Sequence, residues 1–359
     1  MRFTGFIFVV FSLTAGCGST SPSTDITPML TDMSKSVVGL VGAFDTSSKS
    51  LASAGETFAA SQGDAAALGR MQAAWRDTRL SWKRLDAFRF GPIDAKDLPA
   101  AIDFSPVSAE AIDKAVTAGA STEAAVESLG GNARGFFALE ALLFDTPGTT
   151  DATPKLVGDA GKARRALVGA LCKHISKKAA LVNDAWGSGE HFADDIVNAG
   201  KGSATFTSQQ SVVAALVNSS VFATENLVDT KLGLPLGKRG GTGILVDKEE
   251  TRRSDNTIAE MAAMIDGLKL SFDGSTGGLG VGSVVREKSL ALGQRVDTEI
   301  STSKDAVSGM KKPFTMLLTG ETSFVENTYQ VTKLVRTSLS VDVVSALGIT
   351  LTFSVNDGD

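Results

Sequence analysis

Trp75, Arg79, Trp82 and Asp86 follow one another at spacings of four, three and four, so a helix would carry all of them on one face. Two opposite charges therefore share a stripe with two tryptophans, in a stretch that ends Phe90-Gly91-Pro92. A charge removed from water needs a partner, because desolvation alone is costly. Arg79 and Asp86 are two turns apart, which predicts a partner for each from another helix. Two arrangements satisfy the pattern. One is a structural ion pair under a tryptophan lid; the other is the wall of a ligand site, with Arg79 meeting an anion and the aromatics covering an apolar body.

Glu140 is a second anomaly. It shares a face with Phe136, Phe137 and Phe144, and a carboxylate on an apolar stripe either raises its pKa or finds a cation, a metal or hydrogen-bond donors. Gly135 beside it would let another backbone approach closely. A third cluster gathers Glu250, Thr251, Ser254 and Thr257 at a helix start, where Thr257-Ile-Ala-Glu260 fits a capping box. Donors from Ser254 to Thr257, or Arg79, are the expected compensation for Glu140. Glu190, His191 and Asp194 could hold a metal, but one imidazole among acids fits a solvated helix end better. His174, flanked by Lys173, Lys177 and Lys178, reads as part of a solvated basic face, and Arg164-Arg165 as surface.

The elements that must position these residues are helical almost throughout. The period predicts helices at about 26–46, 63–89, 106–118, 132–145, 152–186, 207–232, 255–272, 284–305 and 321–346. Ser105-Pro106 has the form of a cap followed by proline at the first helical position. Near the end, Ile349, Leu351, Phe353 and Val355 alternate with Thr350, Thr352 and Ser354, which predicts a short terminal strand. The expected fold class is all-α, two helical bundles packed together. An N-terminal bundle over 28–236 would be joined by a glycine-rich linker at 237–247 to a C-terminal helical region over 248–359.

The start of the chain reads as an export signal. Arg2 precedes an apolar run from Phe3 to Leu13, too short to span a bilayer stably. Leu13-Thr14-Ala15-Gly16-Cys17 then places small residues before a cysteine, which resembles the lipobox of bacterial lipoproteins. Residues 1–16 are the expected signal peptide, Cys17 the lipidation site, and the Ser/Thr/Pro/Gly-rich 17–27 a flexible tether. Localisation would be the cell envelope, most simply the outer membrane. A net charge of −5, or −6 once Arg2 is removed, offers no footprint for nucleic acid. With Cys17 acylated, Cys172 has no partner for a disulfide or a thiolate zinc site.

Together these segments resemble the imelysin-like proteins, a family also counted among metallopeptidases (peptidase M75) that includes an insulin-cleaving membrane protease and proteins similar to iron-regulated protein A. The tryptophan-arginine-tryptophan stretch ending Phe-Gly-Pro is similar to the family's, with Asp86 where glutamate is usual. Gly135 and Glu140 match its Gly-x-His-x-x-Glu motif, and Phe137 takes the place of the histidine. Glu250, Thr251, Ser254 and Thr257 resemble its Glu-Ser-x-x-Ser-x-x-Ser/Thr stretch. Thr224 to Leu236 and the C-terminus from Ser345 are similar too. The resemblance implies an all-α fold with the motif helix near the interface of two bundles, and a link to iron acquisition across the envelope. Glu140 alone is a poor metal site, so the expectation leans away from an enzyme. The leading reading is an anchored, non-enzymatic binding protein whose ligand is iron or haem and whose partners are envelope iron-uptake components. A peptidase with a degraded metal site and a structural or interaction lipoprotein are the alternatives.

The anchor is testable directly. Cys17→Ser is expected to lack the lipid mass and to leave the membrane fraction. Equal membrane retention and equal lipid mass for variant and parent would contradict the assignment.

Overall fold

The computed structural model describes residues 25–241, 243–275 and 279–352. The expected signal peptide, Cys17, nearly all of the tether and the end of the expected strand lie outside that range. Twelve helices organise the fold: α1 (Thr27–Ala60), α2 (Ala65–Lys83), α3 (Ala109–Thr117), α4 (Glu123–Glu127), α5 (Gly135–Leu143), α6 (Lys162–Trp186), α7 (Gln209–Glu225), α8 (Thr257–Asp273), α9 (Val281–Lys288), α10 (Leu290–Ser308), α11 (Phe314–Gly320) and α12 (Thr322–Thr337). Shorter helical turns join them, and no strand occurs among the described residues.

The longest pairing is α1 with α6. Gly42 and Asp45 face Asn183, while Gly55 meets Cys172 and Gly169, so the two helices run antiparallel. α1 continues well past its expected end. Ser47 and Ser48 turn their hydroxyls onto the Phe44 and Asp45 carbonyls of the same helix, so the serine-rich stretch does not break it. α2 packs against α1, α5 and α8; α8 packs on α10, and α10 on α12. Helices from both sides of residues 237–247 contribute to one continuous apolar cluster reaching from Met29 to Ile349.

Several expected boundaries move. The helix expected over 63–89 ends at Lys83, and Asp86–Phe88 forms a separate 3₁₀ turn. Pro106 lies ahead of α3, which Ser108 caps through the Ala111 amide. The 284–305 segment is two helices broken at Ser289. Residues 226–233 and 338–343 continue α7 and α12 as π-helix. The stretch Gln209–Gly233 is long and apolar enough to cross a membrane by length and composition, and 61% of its most apolar stretch is buried, as in a core helix. The expected terminal strand is absent over Ile349–Thr352. There the Asn218 side chain accepts from the Thr352 amide (2.9 Å) and donates to the Thr350 carbonyl (3.3 Å), taking the place of a strand partner.

Two glycines set the approach of the helices that carry the site. At Gly267 of α8 a Cβ would lie 2.2 Å from the Arg84 carbonyl oxygen, so α8 can cross the end of α2 only without a side chain there. Gly135 opens α5 at φ +79°, and its Cβ would lie 2.4 Å from the Ile102 carbonyl oxygen. These contacts bring Glu260 on α8 and Asp103, just after Ile102, toward the same face of α2.

Candidate functional site

The Arg79 guanidinium is the centre of a buried charge network. Its Nε and Nη2 donate to the two oxygens of Glu260 at 3.0 and 3.3 Å, and its Nη1 donates to Asp103. Its planar head lies over the rings of Phe137 (4.7 Å) and Phe136 (5.3 Å). The aromatic stripe of α5 is therefore a platform for a cation. Asp103 also accepts from the Trp82 indole (2.6 Å) and from Lys83 (2.9 Å). Glu260 also accepts from Lys231 and from the Asn256 amide (3.1 Å). Lys231, in the π-helical turn after α7, lies 2.6 Å from Glu250. Asp86 is buried 3.5 Å from Lys83, with its second oxygen unpartnered.

The partners explain the ionisation. Burial would lower Arg79, but Asp103 and Glu260 hold it above its usual value. Burial works to raise Asp103 and Glu260, and both stay well below the usual carboxylate range. Arg79 and Lys83 act on Asp103, and Arg79 and Lys231 on Glu260. Burial likewise works against Lys231, which Glu250 and Glu260 keep above the ordinary lysine value.

Glu140 stands beside this network. Three buried cations, Arg79, Lys83 and Lys231, face four carboxylates, Asp86, Asp103, Glu250 and Glu260. Among the described residues Glu140 has no ion pair, and Arg79 and Arg76 act on it only at longer range. Glu140 Oε1 instead accepts from the Ser254 amide (2.9 Å) and the Ser254 hydroxyl (2.7 Å). Burial raises its pKa to about 7 against those two hydrogen bonds. The expected capping box at Thr257 is not formed. Thr257 donates to Glu249 (3.0 Å), and Glu260 is turned to Arg79 and Lys231. Burial raises Glu249 as well.

Of the nine residues singled out by the sequence, Arg79, Trp82, Asp86, Phe137 and Glu250 lie in or against this network, Glu140 and Ser254 stand beside it, Trp75 packs on Phe136 and Phe144, and Thr257 is turned to Glu249. Trp75, Trp82 and Arg79 are wholly buried. Trp75 donates to the Phe136 carbonyl (3.0 Å) and packs edge-on to Phe144. Sequence reasoning missed Lys83, Asp103 and Lys231, and took Glu260 for a cap. The available signals were weak: a lone acid after Ile102, and a lone lysine in an apolar segment.

Two surface expectations are overturned. His174 is completely buried, because α6 presents it on the face shared with Leu171 and Ile175, and burial lowers its pKa. Arg165 is buried too, donating to the Leu156 (2.5 Å) and Gly158 (2.8 Å) carbonyls, while Arg164 pairs with Asp113 nearer the surface. His191 is exposed, 3.4 Å from Asp194, and Glu190 is turned to Lys96.

A family model described as Imelysin, peptidase M75, matches residues 42–339. The chain belongs to the imelysin family. Two solved structures share its fold. One is an iron-regulated protein A precursor from Parabacteroides distasonis ATCC 8503, at 17% identity and TM-score 0.78, covering 92% of this chain and 97% of that one. The other is an imelysin-like protein from Psychrobacter arcticum 273-4, at 15% identity and TM-score 0.72, covering 91% and 96%. No curated protein matches the sequence. The imelysin resemblance read from the motifs and the all-helical fold therefore both stand.

A metal at the family's Gly-x-His-x-x-Glu position does not fit this chain. Phe137 offers no lone pair and is occupied beneath Arg79. Glu140 already takes two donors on Oε1 and is raised toward neutrality, which opposes the ionised form a metal needs.

Glu140 gives the site a pH signature. A carboxyl that titrates at 4.5 unfolded and about 7 folded favours folding while both states are protonated, and loses that advantage as pH climbs between the two values. Glu140→Gln cannot ionise and keeps an acceptor for Ser254. Its stability relative to the parent should rise by up to about 3 kcal/mol between about pH 5 and pH 8.5. Glu140→Ala should cost about 2–4 kcal/mol, since it strands the Ser254 donors in a buried site. Urea unfolding at both pH values reads this out. A pH-independent difference for the glutamine variant, or an alanine variant within about 0.5 kcal/mol of the parent, contradicts it.

Proposed function

We propose that this chain is a lipid-anchored protein of the cell envelope that serves iron acquisition by binding rather than by peptide hydrolysis. One observation carries the reading: the motif carboxylate Glu140 is held by the Ser254 amide and hydroxyl, and Phe137 covers Arg79 where the family motif has histidine. A hydrolytic zinc centre needs three protein ligands and an activated water. Neither histidine is placed to supply one at the motif position, since His191 lies against Asp194 at the surface and His174 faces Glu123 and Glu127 on α4.

The iron link is supported by the description of the Parabacteroides distasonis neighbour as iron-regulated, and the anchor by the sequence around Cys17. In this reading the network fastens α2, α5 and α8 together, and recognition falls to the surface beside it. A shallow depression of about 390 Å³ lies there, lined by Asp255, Ile258, Ala262, Met310, Lys311 and Pro313. Its lining residues Asp255 and Ile258 adjoin Ser254 and Thr257 in the sequence. Iron-bearing cargo, as the ion or as haem, and envelope uptake components are the ligands and partners this role calls for.

The test is cleavage. The full chain supplied with zinc or ferrous iron should release no fragments from an unfolded polypeptide such as oxidised insulin B chain. Cleavage by the parent that disappears in Glu140→Gln would overturn the non-enzymatic reading.

A further inference from the structure

α4 packs against α6 away from the network, and there the fold assembles three groups that can bind a metal. Glu123 and Glu127 are one helical turn apart on α4, and both face His174 on α6. His174 Nδ1 lies 3.5 Å from Glu123 Oε1 and 3.5 Å from Glu127 Oε2. The three ligand atoms lie within 4.8 Å of one another. Donors about 2.1 Å from a tetrahedral ion stand roughly 3.4 Å apart, so the two imidazole–carboxylate separations suit a shared ion.

The imidazole gives a second, independent sign. His174 is fully buried, yet neither ring nitrogen has a well-aligned hydrogen bond, Nδ1 facing the two carboxylates, and Glu123 Oε1 is likewise buried without one. A buried polar side chain left in this state is uncommon and calls for a missing partner. The lysines nearby do not fill the gap. Lys177 holds Glu123 Oε2 (2.8 Å) and Lys178 holds Glu127 Oε1 (2.8 Å), leaving the other oxygen of each carboxylate facing the imidazole. A weak backbone contact with Ala101 is the imidazole's other polar neighbour.

We propose that Glu123, Glu127 and His174 form a site for a divalent first-row transition metal, with zinc as the probe ion and water completing the coordination. One imidazole with two carboxylates suits zinc, manganese or ferrous iron rather than copper(I) or calcium. Glu123 and Glu127 are partly open to solvent, which provides the entry path. The ion would pin α4 to α6. The proposal is independent of the cleavage reading above, since it uses none of the motif residues.

The chain has two histidines, which makes the test direct. In the chelator-stripped full chain, zinc titration followed by histidine-selective NMR should shift the His174 ring signals at one equivalent and leave His191 unmoved. Isothermal titration should show one-to-one binding that weakens at least ~10-fold in Glu123→Gln and in His174→Ala. His191→Ala should bind as the parent does. Glu123→Gln keeps the packing and guards against a folding defect in the histidine variant. Zinc that shifts His191 alone, binding unchanged in Glu123→Gln, or no binding at micromolar zinc would overturn the site.

Discussion

The structure depends on how a fully buried guanidinium is compensated. Arg79 has no access to water, and a lone cation there would carry a prohibitive desolvation cost. Asp103 reaches it from the turn before α3, and Glu260 from α8, more than 180 positions along the chain. The helices must come close enough for this, and the Gly267 crossing and the positive-φ Gly135 are where the backbone makes room. The remaining charges follow. Asp103 needs Lys83 and the Trp82 indole, and Glu260 needs Lys231, which in turn lies against Glu250.

This arrangement explains why the family's motif position has a different character in this chain. A phenylalanine at 137 supplies a π-face at 4.7 Å from Arg79, where a histidine would have supplied a ligand and a titratable proton. Glu140 is left without an ion pair, its pKa raised by burial, and is held by Ser254. The nearby chemistry is that of a latch between segments.

Part of this was legible in the sequence because it is local. Helical spacing puts Trp75, Arg79 and Trp82 on one face, and an acid among phenylalanines at 140 signals donors from elsewhere; Ser254 supplies them. What was not legible depends on tertiary contact. Lys83 and Lys231 look like ordinary surface lysines until the acids that bury with them are known. Glu260 has the spacing of a cap, and only the approach of α2 gives it to Arg79. His174 sits among lysines and reads as solvated, yet its neighbours Leu171 and Ile175 mark the buried face of α6. Over Ile349–Thr352 the alternation forms no strand, and the Asn218 side chain meets the backbone groups of Thr350 and Thr352 instead.

The most direct test of the central claim is a double-mutant cycle on Arg79 and Glu260 by urea unfolding. Arg79→Met and Glu260→Gln should each cost about 3–5 kcal/mol, because each leaves buried charge without its partner. The double variant should cost less than the sum by at least ~2 kcal/mol. Single costs that add to within about 0.5 kcal/mol would mean that the pair is not coupled, and that something else holds α2 to α8.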